Sequence, residues 1–207
     1  MASHDDWYET YISFDLETDG PVPGHYSILS IGMSVAGRQR AGRYTASPAT
    51  QETFYATLKP TTGNFNAEAM AVNGLDRALL ARSGLDPAEA LERLTQWLAV
   101  VSAGTRPVLV AYPATFDWPF LAYYYRTYLD CDPPVPFTRV CDLRTLIVAA
   151  AHRQYYTPTA ECLPAGLYPS RVHTHHALQD AIDQAELFSA VQLWRQRSAA
   201  DPPSAEC

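Results

Sequence analysis

Tyr11-Ile12-Ser13-Phe14-Asp15-Leu16-Glu17 alternates apolar and polar residues, the two-residue period of a β-strand with one face on a core. Ile12, Phe14 and Leu16 line one side, and Ser13, Asp15 and Glu17 the other. A Gly/Pro-rich turn at residues 19–24 follows, then apolar stretches at residues 28–35 and 54–58 that read as two further strands. Three strands in succession predict an antiparallel meander. The polar link at residues 37–53 reads as a turn.

Beyond residue 86 the period changes. Asp86 is a good N-cap, Pro87 suits the first helical position, and Ala90, Leu91, Leu94, Trp97, Leu98 and Val101 recur at helical spacing up to Gly104. The wholly apolar stretch 107–112 reads as a buried parallel strand, and 118–129 as the next helix. A short strand near 139–141 leads to a helix at 143–151. Residues 155–172, with three prolines and a glycine, predict a surface loop, and a last helix runs from His176 to about Arg197. The expected architecture is α/β, a mixed five-stranded sheet in which the three-strand antiparallel meander is followed by alternating α/β, flanked by helices. Its expected limits are an N-terminal extension at 1–10, one domain at 11–197 and a tail at 198–207.

Composition narrows the classes. The chain has 207 residues, 47% apolar, enough for one substantial core. No apolar run is long enough to span a membrane, and residues 1–7 carry no secretory signal, so a cytoplasmic protein without a membrane partner is expected. Cys131, Cys141, Cys162 and Cys207 lack the paired spacing of a zinc site or a disulfide framework and read as reduced thiols. The formal charge of −7 sits poorly with phosphate binding. Divalent cations held among the carboxylates would reverse that sign locally.

Three fragments carry candidate chemistry. Residues two apart on a strand share a face, so Asp15 and Glu17 present two carboxylates about 7 Å apart at their α-carbons. Taken alone, Asp-x-Glu is better explained by the solvent side of an edge strand. Asp117 follows the buried strand, in Ala114-Thr115-Phe116-Asp117-Trp118-Pro119, where an N-cap reading also stands. His175 and Asp180 lie five apart at the start of the last helix; a solvated helix charge preceded by a polar loop is the commoner explanation of that fragment taken singly.

Their order is more informative than any one of them. Phe14-Asp15-Leu16-Glu17-Thr18, Phe116-Asp117-Trp118-Pro119-Phe120-Leu121 and His175-x4-Asp180-Ala181 resemble the three exonuclease motifs of the DEDDh family of 3′-5′ exonucleases, which includes ribonuclease T, oligoribonuclease and the polymerase III epsilon subunit. Residues 69–75 resemble a further family segment, with Asn73 where the family has histidine. Pro113 replaces a common asparagine, and His176 stands where asparagine is common; the five-residue offset selects His175 over His173 and His176.

The resemblance implies a ribonuclease H-like fold and stepwise hydrolysis of single-stranded RNA or DNA from its 3′ end to nucleoside 5′-monophosphates. It implies Asp15, Glu17, Asp117 and Asp180 as ligands of two divalent metal ions, Mg²⁺ or Mn²⁺, and His175 as general base. It further implies Thr18 at the terminal 3′-hydroxyl, and Val72, Asn73 and Phe116 around the last nucleotides. Two other readings remain: a proofreading or repair DNA exonuclease working beside a polymerase, and an idle nucleic-acid-binding module. A homodimer or a polymerase stays open as partner. Tyr123, Tyr124, Tyr125 and Tyr128 read as helix positions spread between core and surface, and Arg139, Arg144, Arg153 and Arg171 as surface charges within reach of phosphates.

Overall fold

The computed structural model describes residues 8–168 and 174–200, the last two without their side chains. Strand β1 (Tyr8–Thr18) lies inside the sheet, antiparallel to β2 (Ile28–Arg40) and parallel to β5 (Arg106–Ala111). The order is β3-β2-β1-β5-β6, with β3 (Arg43–Ala46) and β4 (Thr53–Thr57) pairing successive halves of β2, and β6 (Val140–Asp142) closing the other edge.

The class is the expected α/β mixed sheet with flanking helices, but among the described residues the sheet has six strands rather than five. The extra strand comes from the link expected to be a turn: β2 continues through Gly37 to Arg40 and returns as β3. Tyr44 anchors that hairpin, 3% exposed, its hydroxyl sharing a 2.7 Å hydrogen bond with Ser189. One buried aromatic among arginines carries no periodic signal.

The two faces of β1 meet different layers. Ile12, Phe14 and Leu16 pack with Leu91, Leu94 and Leu98 of α3 (Pro87–Val101) and with Phe120, Leu121, Tyr124 and Tyr125 of α4 (Ala114–Tyr128). Across the sheet, Tyr11 and Val110 pack with Ile147 of α5 (Leu143–Ala150) and with Ile182, Phe188 and Val191 of α7 (Ala177–Ala200). Fully burying one such side chain contributes about 1.5–3 kcal/mol, so these two layers fix the sheet between helices. Tyr124 and Tyr125 are fully buried and Tyr123 is 39% exposed, the split expected of neighbours on a helix.

Three boundaries move from their expected places. β1 begins at Tyr8, inside the stretch assigned to the N-terminal extension. α4 begins at Ala114, four residues early, because the Asp142 carboxylate accepts the Ala114 N–H at 2.9 Å and Pro119 sits in the second turn rather than at the start. α7 runs through Ala200 into the expected tail, where Ala199 and Ala200 favour helix. Helices α1 (Ala67–Asn73) and α2 (Arg77–Ser83) were not expected at all. They rest on caps: Asn66 accepts the Glu68 and Ala69 N–H groups, and Asp76 that of Leu79. Residues 155–168 form the expected loop, interrupted by the single turn α6 (Thr159–Cys162). Cys131, Cys141 and Cys162 are free thiols; Cys207, Arg171 and His173 lie outside the described residues. Among the described residues no helix is long and apolar enough to cross a membrane.

Candidate active site

An inner position for β1 removes the edge-strand explanation of its polar face. Ser13 is fully buried and Glu17 is 9% exposed, so this face lies under α7 instead of in water. Burying carboxylates is costly unless they are paired or bind metal.

Gly32 brings α7 close enough to complete the cluster. It pairs with Asp15 across the ladder, and a Cβ there would stand 2.1 Å from the Ala177 carbonyl oxygen and 2.3 Å from the Leu178 nitrogen. Only a bare backbone lets the first turn of α7 sit on the sheet. That turn carries Asp180, which is 2% exposed. Its Oδ1 accepts the Thr174 hydroxyl at 3.2 Å and N–H at 3.4 Å, and its Oδ2 accepts the His176 N–H at 3.1 Å. One carboxylate thus grips the backbone on both sides of His175, which holds the left-handed φ of 51°. The five-residue offset has this mechanical meaning: Asp180 shapes the turn that presents the imidazole.

The two adjacent histidines go separate ways. The His176 ring stacks on Tyr55, centroids 4.8 Å apart and planes 20° from parallel, and its Nδ1 accepts the Gln179 N–H at 3.4 Å. Glu17, His175 and Asp180 instead bring ligand atoms within 4.8 Å of one another. Asp117, in the first turn of α4 and 3% exposed, is tied to the same strand: its Oδ1 accepts the Leu16 N–H at 3.0 Å. The alternative reading of Asp117 as an N-cap fails, since Pro113 holds that position.

The electrostatics show four carboxylates in one place. Burial, then Asp117, Glu17 and Asp180, push the Asp15 carboxyl well above the usual range, with only the Gln184 amide opposing. Burial and then Asp180 raise Glu17 to about 7. Asp117 also rises to about 7, through burial first, with the Leu16 and its own backbone N–H groups opposing and Glu17 adding to the rise. A set dominated by carboxylate oxygen, with one imidazole, suits hard divalent cations such as Mg²⁺ or Mn²⁺. A cation would also remove the repulsion that the raised values record.

A pH-dependent stability follows. Carboxyls whose folded pKa lies above the unfolded value give stability that is complete below about pH 4 and lost as pH rises through about 7. In chelator, calorimetry should therefore give a melting temperature that falls between about pH 5 and pH 8, and saturating Mg²⁺ or Mn²⁺ should raise it more at the higher pH. A metal increment that is equal at both pH values would mean that these carboxylates do not share a site.

Of the residues expected around the substrate, Thr18 follows Glu17 on β1 and Phe116 precedes Asp117 on α4. Thr18 is 6% exposed, its hydroxyl donating to the Gly20 carbonyl at 2.9 Å, and the Asn73 amide donates to the Thr18 carbonyl at 3.0 Å. Val72, on α1, is 54% exposed. Phe116 packs against Phe120, centroids 5.5 Å apart.

Gln184 and Tyr55 were missed. The Gln184 Nε2 donates to Asp15 Oδ1 at 2.8 Å, while its buried Oε1 and the buried Ser13 hydroxyl have no hydrogen-bond partner among the described residues. Its place one turn after Asp180 on the same helix face was a usable signal. Tyr55 belongs to no motif, and only the fold places it beside His176.

Residues 10–192 match the family described as the 3′-5′ exoribonuclease Rv2179c-like domain. The chain is 34% identical over 194 residues to the 3′-5′ DNA exonuclease Cap18 of Escherichia coli, covering 93% of this chain and 97% of that one. It is 32% identical over 148 residues to ribonuclease T of Hahella chejuensis, 64% of this chain and 66% of that one. Among solved structures, the nuclease domain of 3′hExo, a DEDDh family member bound to rAMP, superposes with a TM-score of 0.58 at 14% identity over 95% of both chains. Cell-death related nuclease 4 gives 0.64 at 13% identity over 92% of this chain and 64% of its own. At such identities these structures establish the shared fold.

Proposed function

Since the chain belongs to the family of the 3′-5′ exoribonuclease Rv2179c-like domain and is a 3′-5′ exonuclease, we propose that it shortens single-stranded DNA or RNA one nucleotide at a time at the cluster around Asp15. The observation that carries this assignment is the meeting of Glu17, Asp180 and His175 within 4.8 Å, with the buried Asp117 and the Asp15 carboxylate acting on the same group of charges. The naming of Cap18 as a DNA exonuclease supports DNA, and the family description supports RNA.

Asp15, Glu17, Asp117 and Asp180 would hold two divalent cations, Mg²⁺ or Mn²⁺. Bound there, the cations stabilise charge on the attacking and leaving oxygens of an in-line displacement at phosphorus. His175, held out from the turn that Asp180 grips, takes a proton from the attacking water, imidazole being the side chain that titrates nearest neutral pH. The water oxygen bonds to phosphorus, the bond to the 3′-oxygen of the penultimate nucleotide breaks, and that oxygen leaves with a proton. A nucleoside 5′-monophosphate and a shortened strand result. Thr18 and Asn73, joined by their hydrogen bond, would meet the terminal sugar, with Val72 and Phe116 flanking its base.

The test uses 5′-end-labelled single-stranded RNA and DNA with Mg²⁺, with Mn²⁺ and with chelator. Metal-dependent ladders that shorten from the 3′ end, with release of 5′-monophosphates, are expected. The absence of a ladder on both substrates would overturn the assignment.

A further inference from the structure

Resting on that reading, we propose that Tyr155 and Tyr156, braced by Arg144, form a stacking arm for unpaired bases of the same strand, upstream of the nucleotide being removed. The arm stands at the catalytic end of the sheet. Ser13 pairs with Val110 and β5 ends one residue later at Ala111, so Tyr112 leaves the sheet at the end where Asp15 stands, packed in the same layer as Val110. Ala111 pairs with Asp142, so the chain leading to Arg144 leaves the sheet at that end too.

The base of the arm is rigid and its tip open. The Tyr112 hydroxyl shares a 2.5 Å hydrogen bond with Thr159 Oγ1, which also accepts from Arg144 at 3.1 Å. Arg144 donates its other terminal nitrogen to the Tyr155 carbonyl at 2.7 Å, and its guanidinium lies 5.1 Å from the Tyr155 ring centroid. Yet Tyr155 is 54% exposed and Tyr156 92% exposed, the two rings edge to face at 6.3 Å. Tyr155 lies four positions before Thr159, so the arm starts no more than about 14 Å from that anchor, within a few nucleotides of the cut end.

Bases suit this surface better than another protein does. Two rings and a guanidinium offer flat faces rather than a broad apolar patch, and the exposed Arg153 adds a cation beside them. A chain of net charge −7 gains little from general attraction to phosphates, whereas stacking needs no basic surface.

The test compares wild type with Tyr155→Ser/Tyr156→Ser on a dinucleotide and on a single strand of about ten nucleotides. Losing one or two stacked bases should raise KM on the long strand about five- to one-hundred-fold. Its kcat, and both constants on the dinucleotide, should hold, and Tyr155→Trp/Tyr156→Trp should restore the length preference. Anisotropy of a labelled ten-nucleotide strand in chelator should show the same ratio without turnover. Failure of the arm thus stays separable from failure of the exonuclease reading, which would show as no cleavage of either substrate by the wild type. Equal losses on both lengths, no loss on either, or a change of sedimentation mass in place of a length effect would overturn the proposal.

Discussion

Turnover of single-stranded substrate by the Asp15→Asn protein should fall at least about a thousandfold while the fold gains stability. The two expected signs have one cause. Asp15 is the carboxyl on which Asp117, Glu17 and Asp180 all act, so it stands at the electrostatic centre of the cluster. Asparagine keeps the shape and an oxygen for the Gln184 amide but removes the charge that would hold cations. Without metal, removing that charge relieves repulsion in a buried place, so the melting temperature in chelator should match or exceed wild type at about pH 8. Initial rates on labelled strands and calorimetry on the same preparation give both readouts. More than about a tenth of wild-type activity, or a melting temperature well below wild type, would refute a metal centre built on β1.

Gly32→Ala should cost both stability and activity, although it touches no chemistry. The added Cβ would stand 2.1 Å from the Ala177 oxygen and 2.2 Å from its carbonyl carbon, and backbone cannot rotate away as a side chain does. The first turn of α7 has to move off the sheet, carrying Asp180 and the turn it grips. Overpacking of this kind costs about 1–3 kcal/mol, read as a lower urea midpoint with unchanged slope. A shift of about 1 Å in a positioned group costs on the order of a hundredfold in rate. Gly63→Ala, where an added Cβ meets nothing within 4 Å, is the matched control. A Gly32→Ala protein with wild-type kcat would show that the seating of α7 does not position the site.

Legibility in the sequence varied from element to element, for physical reasons. The alternation of Ile12, Phe14 and Leu16 and the helical spacing of Ala90 through Val101 declare β1 and α3, because each buries one face in a regular layer. The ordered motifs with Asp15, Glu17, Asp117, His175 and Asp180 point to one cluster, and these five side chains do lie in one region of the fold. Alternation could not show that β1 is central: an outer strand with Ser13, Asp15 and Glu17 in water has the same pattern. The hairpin through β3 stayed hidden because Tyr44 is its one buried apolar anchor. α1 and α2 stayed hidden because caps, not an apolar stripe, make them helical. Pro119 suggested a helix start that Asp142 in fact moves to Ala114. Gln184 and Tyr55 matter through neighbours on other elements, which a single sequence does not pair.

The dependence of α1 on its caps bears on product release. None of its seven residues is buried; it is held by Asn66 at one end and by Gly74 and the Asn73 contact to Thr18 at the other. A helix so short is marginal in water by itself, so its opening free energy belongs near the bottom of the molecule's range, far below that of the sheet. As the proposed wall of the terminal-nucleotide pocket, it would loosen while the carboxylates on β1 stay fixed. A spent mononucleotide would then have an exit that leaves the proposed metal ligands in register for the next cut.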